Sequence, residues 1–128
     1  MATTITVDFN ELPYTKDYSL LQGDTIEELY HVELNTAGTY ADDNLSACTI
    51  TLTVEKSDGT AVITARAITA SGTYSNEIKL LITATDTAAW DGAYNYEIKC
   101  VWPNADNTFT SGATRVLVSG VITAQDVI

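Results

Sequence analysis

The chain has 128 residues, and its 17 acidic against six basic side chains give a formal net charge of −11. This length suits one domain over residues 1–128, with a core that needs neither a disulfide nor a metal. A content of 45% apolar residues excludes a disordered tail, and the short aliphatic runs exclude a membrane span. The negative charge argues against nucleic-acid binding, because phosphates would be repelled.

Residues that branch at Cβ make up almost a third of the chain, with 21 threonines, 10 isoleucines and nine valines. Such side chains favour strands over helices. Strands are predicted near 3–9 and 25–34 at the start of the chain, and near 113–123 at its end. No segment repeats with a period of 3.6 residues, so no long helix is expected.

The first third of the chain is its most acidic part. Residues 1–44 contain nine acids and one base, Lys16, and the segments 10–24 and 35–44 lack the alternation of strands. We favour a solvated acidic face as the explanation, and an N-terminal arm over 1–24 that docks on a partner is the second. The candidate docking residues of that second interpretation are Asp24, Glu27, Glu28, Asp42 and Asp43.

The middle of the chain predicts a β-hairpin. Strands over 46–56 and 60–65 alternate apolar with polar residues, and the turn between them contains Asp58 and Gly59. An Asp-Gly pair between alternating runs is a typical hairpin signal, because glycine adopts positive φ without strain. A further alternating run begins at Ile78.

Two local features precede the longest predicted strand. Thr85 to Trp90 predicts one short turn of helix, and Asp91-Gly92 predicts a tight turn after it. Tyr94 or Tyr96 then stands where a tyrosine corner would form, in which the phenol hydroxyl bonds to backbone a few residues upstream.

Many short strands separated by frequent turns predict an all-β fold, an antiparallel β-sandwich of about eight or nine strands. The alternation also predicts which side chains form the core. These residues are Cys48, Ile50, Leu52, Val54, Leu80, Ile82, Trp90, Tyr94, Tyr96, Ile98, Cys100 and Trp102.

The residues that carry chemistry in other proteins are scarce here. His31 is the only histidine and lies in a strand-like run, so we interpret it as an ordinary strand residue and expect no catalytic residue. One histidine and two cysteines are too few ligands for zinc, and we expect no cofactor. Carboxylates at 42–44 and 104–107 allow a calcium site on loops, although a solvated acidic loop is the default.

Four tyrosines lie in or near predicted loops. They either cap the ends of the sandwich, which we favour, or contact a carbohydrate or protein partner, because the ring is rigid and carries a hydroxyl. These residues are Tyr14, Tyr18, Tyr40 and Tyr74.

The second half of the chain resembles a known family. The run 82–98 contains Trp90-Asp91-Gly92-Ala93-Tyr94-Asn95-Tyr96-Glu97-Ile98, a turn and Thr108 to Gly112 follow, and 116–123 closes the pattern. The earlier Gly23-Asp24-Thr25 and Leu45-Ser46-Ala47 also fit. Over about 20–124 the chain resembles the immunoglobulin-like domains of tailed-phage structural proteins, among them the N-terminal domain of phage baseplate upper proteins.

This resemblance implies an immunoglobulin-like sandwich without catalytic residues, whose partners are other virion proteins. The role could be that of a decoration, neck, tail or baseplate, or fibre-adaptor subunit, and a homo-oligomer is an open alternative. The N-terminus shows no signal-peptide pattern, so we expect assembly in the host cytoplasm and location in the virion. The alternative function is a module that recognises a host-surface glycan or protein, with or without calcium.

The two cysteines are 52 residues apart, a spacing that resembles the inter-sheet pair of immunoglobulin domains. That resemblance implies a disulfide between Cys48 and Cys100. Two buried thiols are the alternative, and we favour it because no secretion signal is present.

Overall fold

A computed structural model describes residues 4–8, 13–36, 39–42, 48–70, 77–101 and 114–125, with the backbone alone in 4–8, 32–36 and 39–42. Within these ranges the chain forms ten strands and one short helix. The strands and helix are β1 (Thr4–Asp8), β2 (Tyr14–Thr15), β3 (Tyr18–Leu21), β4 (Ile26–Thr36), β5 (Thr39–Asp42), β6 (Thr49–Lys56), β7 (Ala61–Ile68), β8 (Glu77–Ile82), α1 (Ala84–Thr87), β9 (Gly92–Val101) and β10 (Thr114–Gln125).

The strands form two sheets. In the small sheet, β4 pairs with β1 on one side and with β5 and β8 on the other. The large sheet has the order β2-β10-β9-β6-β7. β3 pairs with a later part of β10 than β2 does, on the same edge. Ten strands therefore occupy eight positions in the part of the chain that the structure describes, because β2 and β3 share one position and β5 and β8 share another.

This arrangement confirms the predicted all-β sandwich. The central ladders are antiparallel, as expected for neighbours joined by short turns. The N-terminal segment adds parallel pairs at one edge of each sheet. β1 runs parallel to β4, and β2 and β3 run parallel to β10. One stretch of chain thus contributes an edge strand to both sheets.

The structure confirms the strand predicted near 3–9 as β1, and it gives the segment for which a docking arm was the second interpretation a different place. Its described parts, 4–8 and 14–21, are hydrogen-bonded strands of the sandwich. The physical reason is that a strand edge leaves unpaired backbone groups, which these residues satisfy despite their weak alternation.

The hairpin forms where the sequence predicts it. β6 and β7 pair antiparallel, and Lys56 N donates to Thr60 O at 2.8 Å to close the turn. Gly59 has φ of +91°, a conformation that costs glycine nothing, and the Asp58 carboxylate accepts from Thr60 N at 2.9 Å.

The short helix and the tyrosine corner also form as predicted. Helix α1 begins with a capping box, in which the hydroxyl of Thr83 accepts from Asp86 N and the Asp86 carboxylate accepts from Thr83 N. Tyr94 makes the corner, because its hydroxyl accepts from Asp91 N at 2.9 Å, three residues upstream.

One hydrophobic core fills the space between the sheets. Among the predicted core residues, Cys48 is half-buried against it and Trp102 lies outside the described residues. The other predicted core residues are all buried, namely Ile50, Leu52, Val54, Leu80, Ile82, Trp90, Tyr94, Tyr96, Ile98 and Cys100. Fully buried side chains outside the predicted set, such as Tyr30, Ile78, Leu117 and Ile122, complete it.

The cysteines are thiols and do not face each other across the sandwich. Cys100 pairs with Ile50 in the β6–β9 ladder, and Cys48 immediately precedes β6, so both cysteines lie at the large sheet. The resemblance to an inter-sheet pair therefore does not extend to their positions. In the described ranges, no helix is long and apolar enough to cross a membrane.

Candidate functional site

The acidic residues proposed for docking have different environments. Asp24 is exposed, but its carboxylate accepts from Leu21 N at 2.9 Å and its carbonyl oxygen accepts from the Thr87 hydroxyl at 2.6 Å. It therefore shapes a turn. Glu27 is exposed on the outer face of β4, 3.9 Å from Lys79 Nζ. The side chain of Asp42 and the whole of Asp43 lie outside what the structure describes.

Glu28 was a candidate docking residue of the second interpretation, and its burial contradicts that candidacy. It is a buried residue, because alternation along β4 turns Ile26, Glu28 and Tyr30 toward the other sheet. Its carboxylate oxygen Oε1 accepts from Lys16 Nζ at 2.5 Å and from the Tyr18 hydroxyl at 2.9 Å. A carboxylate with these two donors is used inside the fold and offers little to a partner.

Glu28 belongs to an inter-sheet cluster, defined here as Lys16, Tyr18, Glu28, Tyr30 and Tyr96. The hydroxyls of Tyr18 and Tyr30 are 2.5 Å apart, which joins the large sheet to the small one. The Tyr18 and Tyr96 rings lie 5.8 Å apart, and the Lys16 ammonium sits 5.2 Å from the Tyr18 ring centroid. Aromatic area and charge-assisted hydrogen bonds therefore act at the same place.

The backbone of Lys16 is held as firmly as its side chain. Its N–H donates to Ser119 O at 3.0 Å, and its carbonyl accepts from the Tyr96 hydroxyl at 2.6 Å. Gly120 makes this approach possible, because a Cβ there would collide with the carbonyl carbon and oxygen of Lys16. The Asp17 carboxylate accepts from Val121 N at 2.9 Å, which fixes the next residue as well.

Burial governs the protonation of the cluster's tyrosines. Desolvation raises the pKa of Tyr18, Tyr30 and Tyr96 well above the usual range of a phenol. These hydroxyls therefore stay protonated, and remain hydrogen-bond donors, at pH values at which an exposed phenol ionises. The inter-sheet cluster therefore holds the two sheets together on the N-terminal side of the sandwich.

The opposite side of the sandwich has an open groove between β7 and β8. We call it the edge groove, and its volume is about 240 Å³. It is lined by Leu52, Arg66, Ala67, Ile68, Thr69, Lys79, Leu81 and Thr83. Apolar side chains and two cations therefore line it, and none of these residues is acidic.

A β-bulge in β7 places one of these cations. Leu52 pairs with Arg66 and Val54 with Ile63, so Thr64 and Ala65 both lie opposite the single residue Thr53. Ala65 has φ of +43°, a left-handed conformation that is strained for alanine, and its N–H donates to the Thr53 hydroxyl at 3.2 Å. The extra residue reverses the alternation, so that Arg66 takes the face that an unbulged strand would give to Ala65.

Arg66 joins β7 to α1, the helix that follows β8, at one end of the edge groove. Its guanidinium donates to both carboxylate oxygens of Asp86, at 2.8 Å and 2.7 Å. These bonds, together with those from Thr83, hold the pKa of Asp86 below its ordinary value. Asp86 thus serves the helix cap and the ion pair at once, which ties β7 to α1.

Of the other candidate residues, the side chains at 42–44 and 104–107 and those of Tyr40 and Tyr74 lie outside what the structure describes, and the described ones make structural contacts. His31 lies in β4, with its Nδ1 3.8 Å from Glu77 Oε1, as expected for a strand residue. Tyr14 and Tyr18 pack against the core rather than standing in solvent. Of the described residues, no three of the His, Cys, Asp and Glu type are grouped as a metal site would need.

The sequence held signals for several of these positions. Lys16 is the only base in the acidic third, and the alternation Ile26, Glu28, Tyr30 puts a carboxylate on an apolar face. Together they are the signal of a buried ion pair, which is not among the contacts predicted from the sequence. The position of Arg66 carried no such signal, because it depends on a bulge.

Comparison with known proteins adds a fold relationship. The chain matches no protein-family model and no curated protein sequence. Among solved structures, it is similar to the N-terminal domain of phage TP901-1 ORF48, with a TM-score of 0.54 and 10% identity. The match covers 95% of this chain and 96% of that one. This likeness shows that the chain has the fold of a phage protein domain.

Proposed function

We propose that this chain is a non-enzymatic structural protein of a bacteriophage virion that binds another virion protein. The observation that carries the proposal is the likeness in fold to a phage domain over almost the whole length of both chains. The sequence resemblance to tailed-phage immunoglobulin-like domains is a separate argument in the same direction.

The physical role would be that of a rigid adaptor. The inter-sheet cluster and the hydrophobic core hold the two sheets in one relative position. Surfaces outside the cluster and the core then have a fixed geometry when they meet a partner, which limits the conformational entropy lost on assembly. The decoration, neck, tail or baseplate, and fibre-adaptor roles share this requirement.

The test is whether the protein is a component of purified particles. An epitope-tagged copy would be expressed during infection by the phage that encodes it, and particles would be purified by density gradient. We expect the tagged chain to sediment with intact particles in a fixed ratio to the major capsid protein, and gold-labelled antibody to mark one position by electron microscopy. A chain found only in the soluble fraction would contradict the proposal, and the labelled position would identify the component.

Its solution mass separates the remaining alternatives. Sedimentation equilibrium over a wide concentration range would show either a closed oligomer, which favours a fibre, spike or neck subunit, or a monomer, which favours a decoration or adaptor.

A further inference from the structure

The outer edge of β8 is a regular strand edge. β8 pairs with β4 in unbroken register from Glu77 to Ile82, and within the described ranges the sheets give it no partner on the other side. Such an edge presents a row of backbone donors and acceptors, which an extended peptide can use as a template.

β7, on the other side of the groove, is a poorer template. It also pairs on one side only among the described strands, but its bulge at Ala65 interrupts the regular spacing of backbone groups. The ion pair between Arg66 and Asp86 holds that end of the groove in place. An added strand would therefore follow β8, with β7 as a wall.

The lining of the edge groove indicates what such a strand would carry. Leu81 is one of the exposed large apolar side chains, at 38%, and Ile68 is half-buried beside it. Arg66 is neutralised by Asp86, so the accessible cation of the groove is Lys79. Its side chain is 48% exposed, and its Nζ lies 3.9 Å from Oε2 of Glu27, which is itself exposed. In a chain of net charge −11, two of the six bases line this one groove.

We infer that the edge groove binds an extended, acidic segment of another virion protein, which adds to β8 as a strand. The inference rests on the proposed function and names the surface and the partner chemistry for it. Apolar side chains of the segment would contact Leu81 and Ile68, and a carboxylate would face Lys79. A second copy of β8 is a poorer occupant, because antiparallel self-pairing in the register centred on Lys79 would place that lysine opposite its own copy.

Site-specific cross-linking tests the location. A benzophenone amino acid would replace Leu81 in one variant and Leu21 in another, and the particles would be illuminated after assembly. The two leucines are matched, since both are exposed, but Leu21 lies on β3 at the opposite edge. We expect position 81 to cross-link to an acidic, strand-like peptide of another virion protein, identified by mass spectrometry, and position 21 to give no such product.

Charge reversal tests the chemistry. Lys79→Glu should lower incorporation into particles at least about tenfold, because it opposes an acidic segment. Lys99→Glu is the matched control, since Lys99 is 47% exposed and pairs with one glutamate on the outer face of the large sheet. It should incorporate like the wild type. Thermal melting of both variants checks that the fold is intact.

The outcomes separate the two levels of the argument. A wild-type chain absent from particles overturns the proposed function and this inference with it. A wild-type chain present in particles, with no product from position 81, with a product only to a second copy, or with Lys79→Glu incorporated normally, overturns the inference alone.

Discussion

The two sides of the sandwich differ in how the chain connects the two sheets. On the N-terminal side, one segment of chain pairs with both sheets, and the inter-sheet cluster joins them through buried hydrogen bonds. On the side of β7 and β8, the ion pair of Arg66 with Asp86 links β7 to α1 beside the open edge groove. The contacts on the first side stabilise the fold, and the second side has an accessible groove.

The contrast shows what burial does to similar groups. Glu28 and Glu27 are neighbours on β4, yet their side chains are 11% and 49% exposed. Each lies near a lysine, but only the buried one has a short charge-assisted hydrogen bond and a second donor. We expect the free energy of unfolding to depend more on the buried contacts than on the exposed ones.

Deletion of residues 2–19 should have the largest effect. It removes β1, β2 and half of β3, together with two members of the inter-sheet cluster, Lys16 and Tyr18. We expect loss of most of the stability of a domain of this size, on the order of 5 kcal/mol or more. Urea unfolding followed by tryptophan fluorescence measures it. A cooperative transition at the wild-type midpoint would restore the interpretation of this segment as a docking arm.

Gly120→Ala should come next, at about 3 kcal/mol of destabilisation. The new Cβ would meet backbone atoms of Lys16, which cannot turn aside as a side chain could. The same substitution at Gly59 is the control, since its Cβ would meet open space and only the positive φ is penalised, by about 1 kcal/mol. Equal urea midpoints for the two variants would show that the Lys16 backbone is not held against β10.

Glu28→Ala should destabilise the protein by about 2 kcal/mol, because Lys16 and Tyr18 lose a shared acceptor. Glu27→Ala, one residue away and exposed, should change stability by less than about 0.5 kcal/mol. Chemical denaturation of both variants at pH 7 gives the difference. If the two substitutions cost the same, the inter-sheet cluster contributes no more than a surface pair.

The ion pair on the open side should contribute less and depend on pH. The pKa of Asp86 is lower in the folded protein than its ordinary value of 3.8, so the unfolded chain binds the proton more tightly. Its stabilisation is full above pH 4 and is lost as the pH falls below that value.

Asp86→Asn should therefore cost about 1 kcal/mol at pH 7, discounted because Arg66 is 41% exposed, and less at pH 3. A double-mutant cycle with Arg66→Gln isolates the pair from the helix cap. Equal losses at both pH values would assign the effect to the cap.

The smallest effect concerns tyrosine ionisation. Because burial raises the pKa of Tyr18, Tyr30 and Tyr96, their stabilisation is present below pH 10 and is lost as the pH rises above it. Ultraviolet titration should show part of the tyrosine absorbance change delayed until the protein unfolds. Tyr18→Phe should reduce that delayed fraction, and the urea-unfolded chain should titrate in one step near pH 10.

Much of the fold was predictable because it depends on neighbours along the chain. Alternation in β6, β8 and β9 predicted residues that are buried, from Ile50 to Cys100. The hairpin at Asp58-Gly59, the short helix and the corner at Tyr94 are set by side-chain and backbone bonds over two to four residues. Contacts between residues this close in sequence can be predicted from the sequence alone.

The candidate site was less predictable because it depends on which strands are adjacent. The strand near 3–9 was predicted, but residues 10–24 were interpreted as loop, since the parallel pairing of β2 and β3 with β10 satisfies the backbone without strong alternation. The bulge at Ala65 moves Arg66 across the strand, and only the ladder with β6 shows it.

By itself the sequence determined the all-β class, the core faces of the central strands and the main turns, because a two-residue period and turn chemistry act locally. The tertiary structure alone decided that Glu28 meets Lys16 and Tyr18, and that Arg66 meets Asp86 beside an open groove. Those contacts join residues brought together by sheet order and register, and a one-residue change in register would have turned the same side chains to the other face.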